Sequence, residues 1–479
     1  MLGDLMGDDL TPAATSVMGD RTRGSSLGEA GDSAYMQMDD ADDGSTAGLG
    51  GGGGGGGGGG TSAKQLELSQ DQQPHKARVT EWTQTFPTLT ADLIGVGVLS
   101  LPWAFAQLGW FAALTLILLF CVGNTYTGLL INRLVLLRPA HLTTFDSLGR
   151  HCYGARGERV VRVLGYGFLA TLVVADVLTA TIALQEVADA TGGELCRPHA
   201  GLIVLAAVLP ALQLRSLHDL YWAAIGGLVC IAVPLLIVLT QVGEQDASQQ
   251  SLDRQYPAQA IAHTPFVTFA GAAFSFVFAF TGQVLYVEFM AEMRAPADFR
   301  KVVWASNGTM LVVYTFVSAL VYDLVGRDVL SPVTSNLPNG ATKAVVNLLL
   351  FGHVYVANAI NANVLIGAAN KLLVPPKQQQ SRAVWFGLSV VLAVGAYVVS
   401  NLFTFFGDLI NVIGATFGMA TTYMLPCAFA LKALPLEPTE RTGVSVLLAL
   451  SVGVSIMGTY ASLATLADDF SSFGPPFSC

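Results

Sequence analysis

Charge is the scarcest property of this chain. Only 12% of its 479 residues are Asp, Glu, Lys or Arg, where soluble domains carry roughly 25%. Apolar residues make up 52%, and the mean hydropathy is +0.54. So few charges cannot cover a water-facing globule, which excludes an ordinary soluble domain. Paired cysteines are missing as well. The six cysteines (Cys121, Cys152, Cys196, Cys230, Cys427 and Cys479) are scattered without a C-x-x-C, which argues against a zinc site or a redox motif. There is no ATP-binding motif and no His/Asp/Glu or Ser/His cluster. Enzymatic chemistry, a bound metal and a cofactor are therefore not expected, and nothing points to a nucleic-acid partner. The start of the chain lacks the basic residues and short apolar core of a signal peptide.

What is present falls into two materials. Residues 1–81 carry an unbroken glycine run from Gly50 to Gly60, flanked by Asp, Ser, Thr and Gln. Such a segment cannot bury enough apolar area to offset its ordering entropy, so it reads as a disordered cytosolic tail. It holds 13 acidic and 5 basic residues, a net of −8 out of −10 for the chain, so the remainder is nearly neutral. Residues 82–470 form apolar runs long enough to cross hydrocarbon, which takes about 20 residues each, and 471–479 are a short C-terminal tail. The fold class is an all-α polytopic membrane protein with the lipid bilayer as its partner.

Eleven spans are expected: 86–107, 111–137, 160–188, 199–214, 220–242, 265–293, 301–325, 343–373, 382–401, 403–432 and 443–466. Placing the N-terminus in the cytosol puts 15 Lys and Arg on inner connections and four (Arg197, Arg254, Arg327 and Lys343) on outer ones. That bias sets the orientation and leaves the C-terminus extracellular or luminal. Cys196 and Cys479 then share the outer side, where they are expected as free thiols. Asn307-Gly308-Thr309 matches a glycosylation sequon but lies within an apolar run, as a chance match would.

Two spans contain helix-breakers at mid-depth. The first, TADLIGVGVLSLPWAFAQLGW, has Gly95, Gly97 and Pro102 inside it, and the sixth, FVFAFTGQVLYVEFMAEM, is interrupted at Thr281 and Gly282. Non-helical backbone survives in a membrane only where protein or a water-filled cavity surrounds it. Residues Ile94, Gly95, Val96, Gly97 and Val98 therefore suggest an unwound hinge, with the second half-helix starting near Val98. Free N–H groups and the positive end of a helix dipole make such a start an anion site fit for a carboxylate. The carbonyls near Phe278, Phe280, Thr281 and Gly282 would suit an ammonium. Glycines in membrane helices also allow close packing, but two breaks at corresponding positions of halves 86–242 and 265–432 favour a 5+5 inverted repeat with one extra helix.

The same residues carry a resemblance. IGVGVLSLPWAFAQLGW, NTYTGLLINRLV, DSLGRHCYGARGERV, FAFTGQVLYVEFMAEMRAPADFRKVVWASN and GDLINVIGATFGMATTYMLPCAFAL resemble the amino acid/auxin permease family, in particular its proton-coupled and vacuolar-type members. The resemblance covers Phe86 to about Leu434 and implies a leucine-transporter-type fold moving amino acids by alternating access. Sodium-coupled relatives carry an Asn where Ala91 stands here, a departure that favours protons. The family leaves plasma membrane and vacuolar or other endomembrane locations both open.

Three carboxyls are candidates for proton coupling. A carboxylate in hydrocarbon costs roughly 2.5–3.5 kcal/mol on insertion scales, so each should face a cavity or a partner. Asp92 lies one turn before the first break, Asp176 near the middle of span three, and Glu288 beyond the second break. Each has a structural alternative, a hydrogen bond to broken backbone or a buried pair. In span eight Asn347, Asn358 and Asn361 share a stripe, with Asn363 off it and His353 elsewhere in the same span, and such amides either glue helices or line a pathway. The expected function is secondary active amino acid transport coupled to protons. A non-transporting amino acid sensor on the same fold is the alternative.

Overall fold

Lipid offers no hydrogen bonds, so a membrane chain must satisfy its backbone internally. The computed structural model describes residues 80–137, 141–213, 221–248, 257–403 and 406–473, and these are helical apart from turns, connections and one isolated β-bridge. The helices in chain order are α1 (Trp82–Leu93), α2 (Leu101–Leu137), α3 (Phe145–Ala190), α4 (Arg197–Ala211), α5 (Tyr221–Ser248), α6 (Phe266–Phe280) and α7 (Gln283–Glu292). They continue with α8 (Phe299–Val325), α9 (Ala341–Leu373), α10 (Arg382–Leu402), α11 (Phe406–Ile413), α12 (Leu425–Ala433) and α13 (Pro438–Phe473). Among the described residues, eight helical stretches are long and apolar enough to cross a membrane, with two shorter apolar helices at Arg197–Ala211 and Gly226–Gln241.

The expected turn between the first two spans is a backbone kink, not a loop. At about 1.5 Å per residue, the 37 residues of α2 would be about 55 Å long, well beyond a hydrocarbon core of about 30 Å. Gly109 breaks the run with φ 77°, a conformation that favours glycine. A Cβ there would also lie 2.7 Å from the amide nitrogen of Ala262. The connection before α6 caps the new start, with Trp110 N donating to Gln259 O at 3.1 Å and Phe111 N to Ala260 O at 3.0 Å. A second glycine, Gly154 with φ 65°, divides α3. The helix of span three therefore begins earlier than residue 160, at the kink.

Both glycine interruptions expected inside the spans are present. α1 stops at Leu93, and a short 3-10 turn, Val96–Leu99, intervenes before α2. α6 stops at Phe280, and α7 starts at Gln283. Between α11 and α12 the chain widens into π-helical turns at Gly414–Gly418 and Ala420–Met424, a feature frequent at functional sites. There Thr422 Oγ1 lies 3.1 Å from Thr281 Oγ1 at the second break. The most extensive packing joins α9 to α3 and α5, and α2 to α8 and α6.

The described residues begin slightly before residue 82, at Thr80. Thr80 N donates to Glu292 O at 3.1 Å, and Arg294 N donates to Thr80 O at 2.9 Å, so the approach to α1 is bonded to the end of α7. Glu81 and Gln84 form a capping box at the start of α1. The tail before Thr80 lies outside the described residues. Asn307 of the sequon is buried and accepts a hydrogen bond from Asn124 at 2.6 Å, in keeping with a chance match. The free-thiol expectation for Cys196 is corrected, because it is disulfide-bonded. Cys121, Cys152, Cys230 and Cys427 are free, and Cys479 lies outside the described residues.

Candidate functional site

The two breaks touch each other. A Cβ on Gly97 would sit 3.0 Å from Ala279 Cα, and one on Gly282 would collide with Leu93 Cδ2. The missing side chains thus let each broken helix approach the residue just before the other break. Tyr314 of α8 holds the junction, its hydroxyl lying 3.0 Å from Leu93 O and 3.2 Å from Ala279 O. Both are last-turn carbonyls, whose helical partners end with the helix. Leu93 O also accepts from Gly95 N at 3.0 Å, and the one hydroxyl hydrogen of Tyr314 is shared between the two oxygens.

Each break is also braced from the side. Ser100 Oγ donates to Gly97 O at 2.9 Å, and Thr281 Oγ1 donates to Val277 O at 2.7 Å. The amide of Gly282 donates to Gln283 Oε1 at 3.0 Å. The Gln283 amide in turn reaches Asn124 and Thr127 on α2, and Asn124 reaches Asn307 on α8. A buried polar chain therefore runs from the second break across α2 to α8 and fixes its geometry.

Beside the junction lies a cavity of about 570 Å³. Gly95, Val96 and Gly97 of the first break line it, as do Phe278, Thr281 and Gly282 of the second. Asp92, Asp176, Asn361 and His353 are its other notable polar walls, and among the described residues no Lys or Arg lines it. Asp92 has exposed surface, but that surface is cavity wall rather than the outside of the bundle. Asp176 is 4% exposed, and Asn361 Nδ2 donates to its Oδ2 at 3.4 Å. Val96 and Gly97 open the 3-10 turn, so their amides have no acceptor within it.

The cavity is one-sided. Along α1 it extends to Thr83, Gln84 and Pro87, all exposed. Along α3 the wall runs from Phe168 to Asp176 and stops. The next residues, Val177 to Thr181, are buried in packed bundle. The breaks and Asp176 therefore lie toward its closed end.

Not every candidate from the sequence is on this wall. Ile94 and Val98 are buried in the core, and Phe280 packs its ring 5.5 Å from that of Tyr314. Glu288 is half-buried on α7, away from the cavity lining. The α9 amides divide: Asn347 donates to Lys343 O and Asn358 to Val173 O, while Asn361 faces the cavity. Tyr314 and the bracing role of Gln283 had no signature in the sequence, because each depends on a partner more than a hundred residues distant or on the break itself.

A multi-pass helical bundle with two broken helices meeting at a one-sided cavity is the architecture of a secondary transporter. The chain belongs to the family of transmembrane amino acid transporter proteins, which matches residues 78–467. It is 26% identical over 390 residues to amino acid transporter AVT1B of Arabidopsis thaliana, covering 78% of this chain and 69% of that one. It is 25% identical over 419 residues to the N amino acid transport system protein of Neurospora crassa, covering 83% and 88%. Solved structures with a similar fold include MhsT in complex with L-phenylalanine, with a TM-score of 0.51, 11% identity and coverage of 82% and 99%. Mhp1, a nucleobase-cation-symport-1 family transporter, matches with a TM-score of 0.52, 14% identity and coverage of 85% and 97%. These neighbours share a leucine-transporter-like fold.

Proposed function

We propose that the protein is a secondary active transporter that moves amino acids by alternating access and couples them to protons. The observation that carries this reading is the single cavity lined by both backbone breaks and open toward one end. The substrate carboxylate would meet the amides of the Gly95–Val98 segment, and its ammonium the polar groups about Phe278–Thr281. The carboxyls Asp92 and Asp176 on the wall are the favoured proton carriers, with Glu288 a more distant candidate. Eleven crossings follow if the eight long helical stretches are joined by the two shorter helices and by α1 with Leu101–Leu108. The first ten would form the 5+5 repeat. On this reading the N-terminus is cytosolic and the C-terminus extracellular or luminal, in a plasma membrane or an endomembrane. The relatives described above bear transporter names and lend no support to a sensor.

The test is a panel of radiolabelled amino acids on proteoliposomes with an imposed pH gradient. At least one should accumulate above its equilibrium level and lose that accumulation when the gradient is collapsed. Binding without accumulation for every substrate would favour the sensor instead.

The tail gives a second expectation. Deleting residues 1–75 should leave the transport rate in liposomes nearly unchanged, since it keeps Thr80 and its two backbone bonds to the end of α7. Deleting 1–81 removes two backbone hydrogen bonds, at about 0.5–1.5 kcal/mol each, and a cap, at about 1 kcal/mol. A lower unfolding temperature is expected for the longer deletion alone. Equal loss of activity in both would mean that the tail belongs to the transporter.

A further inference from the structure

His353 stands in the middle of α9 and is 6% exposed. Its Nδ1 lies 2.8 Å from the carbonyl oxygen of Gly227 on α5. A carbonyl only accepts, so Nδ1 carries a hydrogen. In the neutral ring Nε2 is then a bare lone pair, and this buried atom has no hydrogen-bond partner. It faces the first break, 3.9 Å from where a Cβ on Gly95 would stand, and His353 is part of the cavity wall. A buried acceptor left alone is costly, and at this atom, on the cavity wall, a proton or a ligand can complete it.

The charges around it decide which. α1 presents Asp92 and α3 presents Asp176, whereas α5, α6 and α7 contribute only neutral side chains to the wall. Cys230 of α5 lies against the neighbouring Gly352. A substrate carboxylate held at the Gly95–Gly97 amides would add a third negative charge beside a lone pair. Among the described lining residues His353 alone can become a cation.

We propose that His353 is a proton-binding residue of the substrate site, whose imidazolium pairs through Nε2–H with the substrate carboxylate at the first break. This deepens the transport reading and rests on the carboxylate position given there. Proton and carboxylate then bind as a couple, and by linkage each strengthens the other. A carboxyl titrated by the arriving ammonium would behave oppositely, losing a proton as substrate binds. The sign of proton exchange therefore separates the two.

The experiment uses the full-length protein in detergent, an amino acid that the panel shows to be bound, and the carboxamide of the same amino acid. In weakly buffered solution above the titration range of His353, the amino acid should draw up to one proton from solution on binding. Its Kd should rise by about tenfold per pH unit there, as one linked proton requires, and the carboxamide should show neither effect. His353→Gln should still bind the amino acid at the weaker, high-pH affinity, with a flat pH profile and no proton uptake. A variant that keeps the wild-type slope overturns the proposal. If His353→Gln does not fold, the wild type decides alone: uptake with the acid and none with the amide supports it, and release, or equal behaviour of the two ligands, overturns it. No binding of any amino acid at any pH would instead bring down the transport reading, and this proposal with it.

Discussion

Gly97→Leu should abolish uptake, with the protein still inserting in the membrane. Gly97 is where the two broken helices touch. A Cβ would already lie 3.0 Å from Ala279 Cα, 3.2 Å from Ala279 Cβ and 3.3 Å from Phe278 Cδ1, closer than atoms settle without movement. The branched remainder of a leucine must then push α6 away or enter the cavity. Overpacking of this kind costs about 1–3 kcal/mol, which a large helical bundle can survive. The site cannot, because the Val96 and Gly97 amides lose their position and the space before them fills. Gly95→Ala is the informative companion. A Cβ there meets only Asp92 O and His353 Nε2, both at 3.9 Å, so the fold accepts it and only the cavity shrinks. Uptake should fall more for Gly97→Leu than for Gly95→Ala, while size-exclusion profiles remain alike. Near-normal transport by Gly97→Leu would show that the first break does not hold the substrate.

The breaks were legible because helix-breakers recur at corresponding positions of the two halves, which close packing of single glycines does not explain. The point of rewinding was less so. The α-helix resumes at Leu101 rather than near Val98, after the 3-10 turn. Pro102 accounts for much of this, since a residue without an N–H fits the first turn of a helix and not its interior. Phe278 and Phe280 looked equivalent, yet residues two apart on a helix point to nearly opposite sides. One lines the cavity, and the other packs on Tyr314. His353 was visible as a lone histidine in an apolar span. Its meaning was not, because Gly227 and Gly95, which define its two nitrogens, lie elsewhere in the chain. Tyr314 was hidden among aromatics for the same reason: the sequence displays its ring, and only the fold displays what its hydroxyl reaches. Cys196 likewise gave no local sign of its bonded state.

Asp92→Asn should keep substrate exchange and lose accumulation driven by a pH gradient. Asp92 lies one turn before the first break, with its side chain on the cavity wall and no Lys or Arg among the described lining residues to neutralise it. While the cavity is open along α1, water reaches the carboxylate and its charge costs little. In the proposed alternating-access cycle, closing that end would remove the water, and an unpaired carboxylate in a membrane interior would then cost roughly 2.5–3.5 kcal/mol. Protonation relieves this cost, so closure and proton loading favour each other, and reopening to neutral cytosol favours release. Asn keeps the size and polarity of Asp but can carry no proton. The variant should therefore cycle without coupling, exchanging labelled for unlabelled substrate at a rate close to that of the wild type. Under an imposed gradient it should come to rest near the equilibrium concentration ratio. Asp176 is the natural comparison, since it lies deeper, is 4% exposed and is already bonded by Asn361. A carboxyl held by a partner has less freedom to shuttle, so Asp176→Asn should impair binding or folding more than coupling. Undiminished accumulation by Asp92→Asn would clear that residue and pass the role to Asp176 or Glu288. If the Asn or Gln variants of all three still concentrate substrate from ΔpH, none of these carboxyls is the essential carrier, and the proton must travel on another group of the cavity.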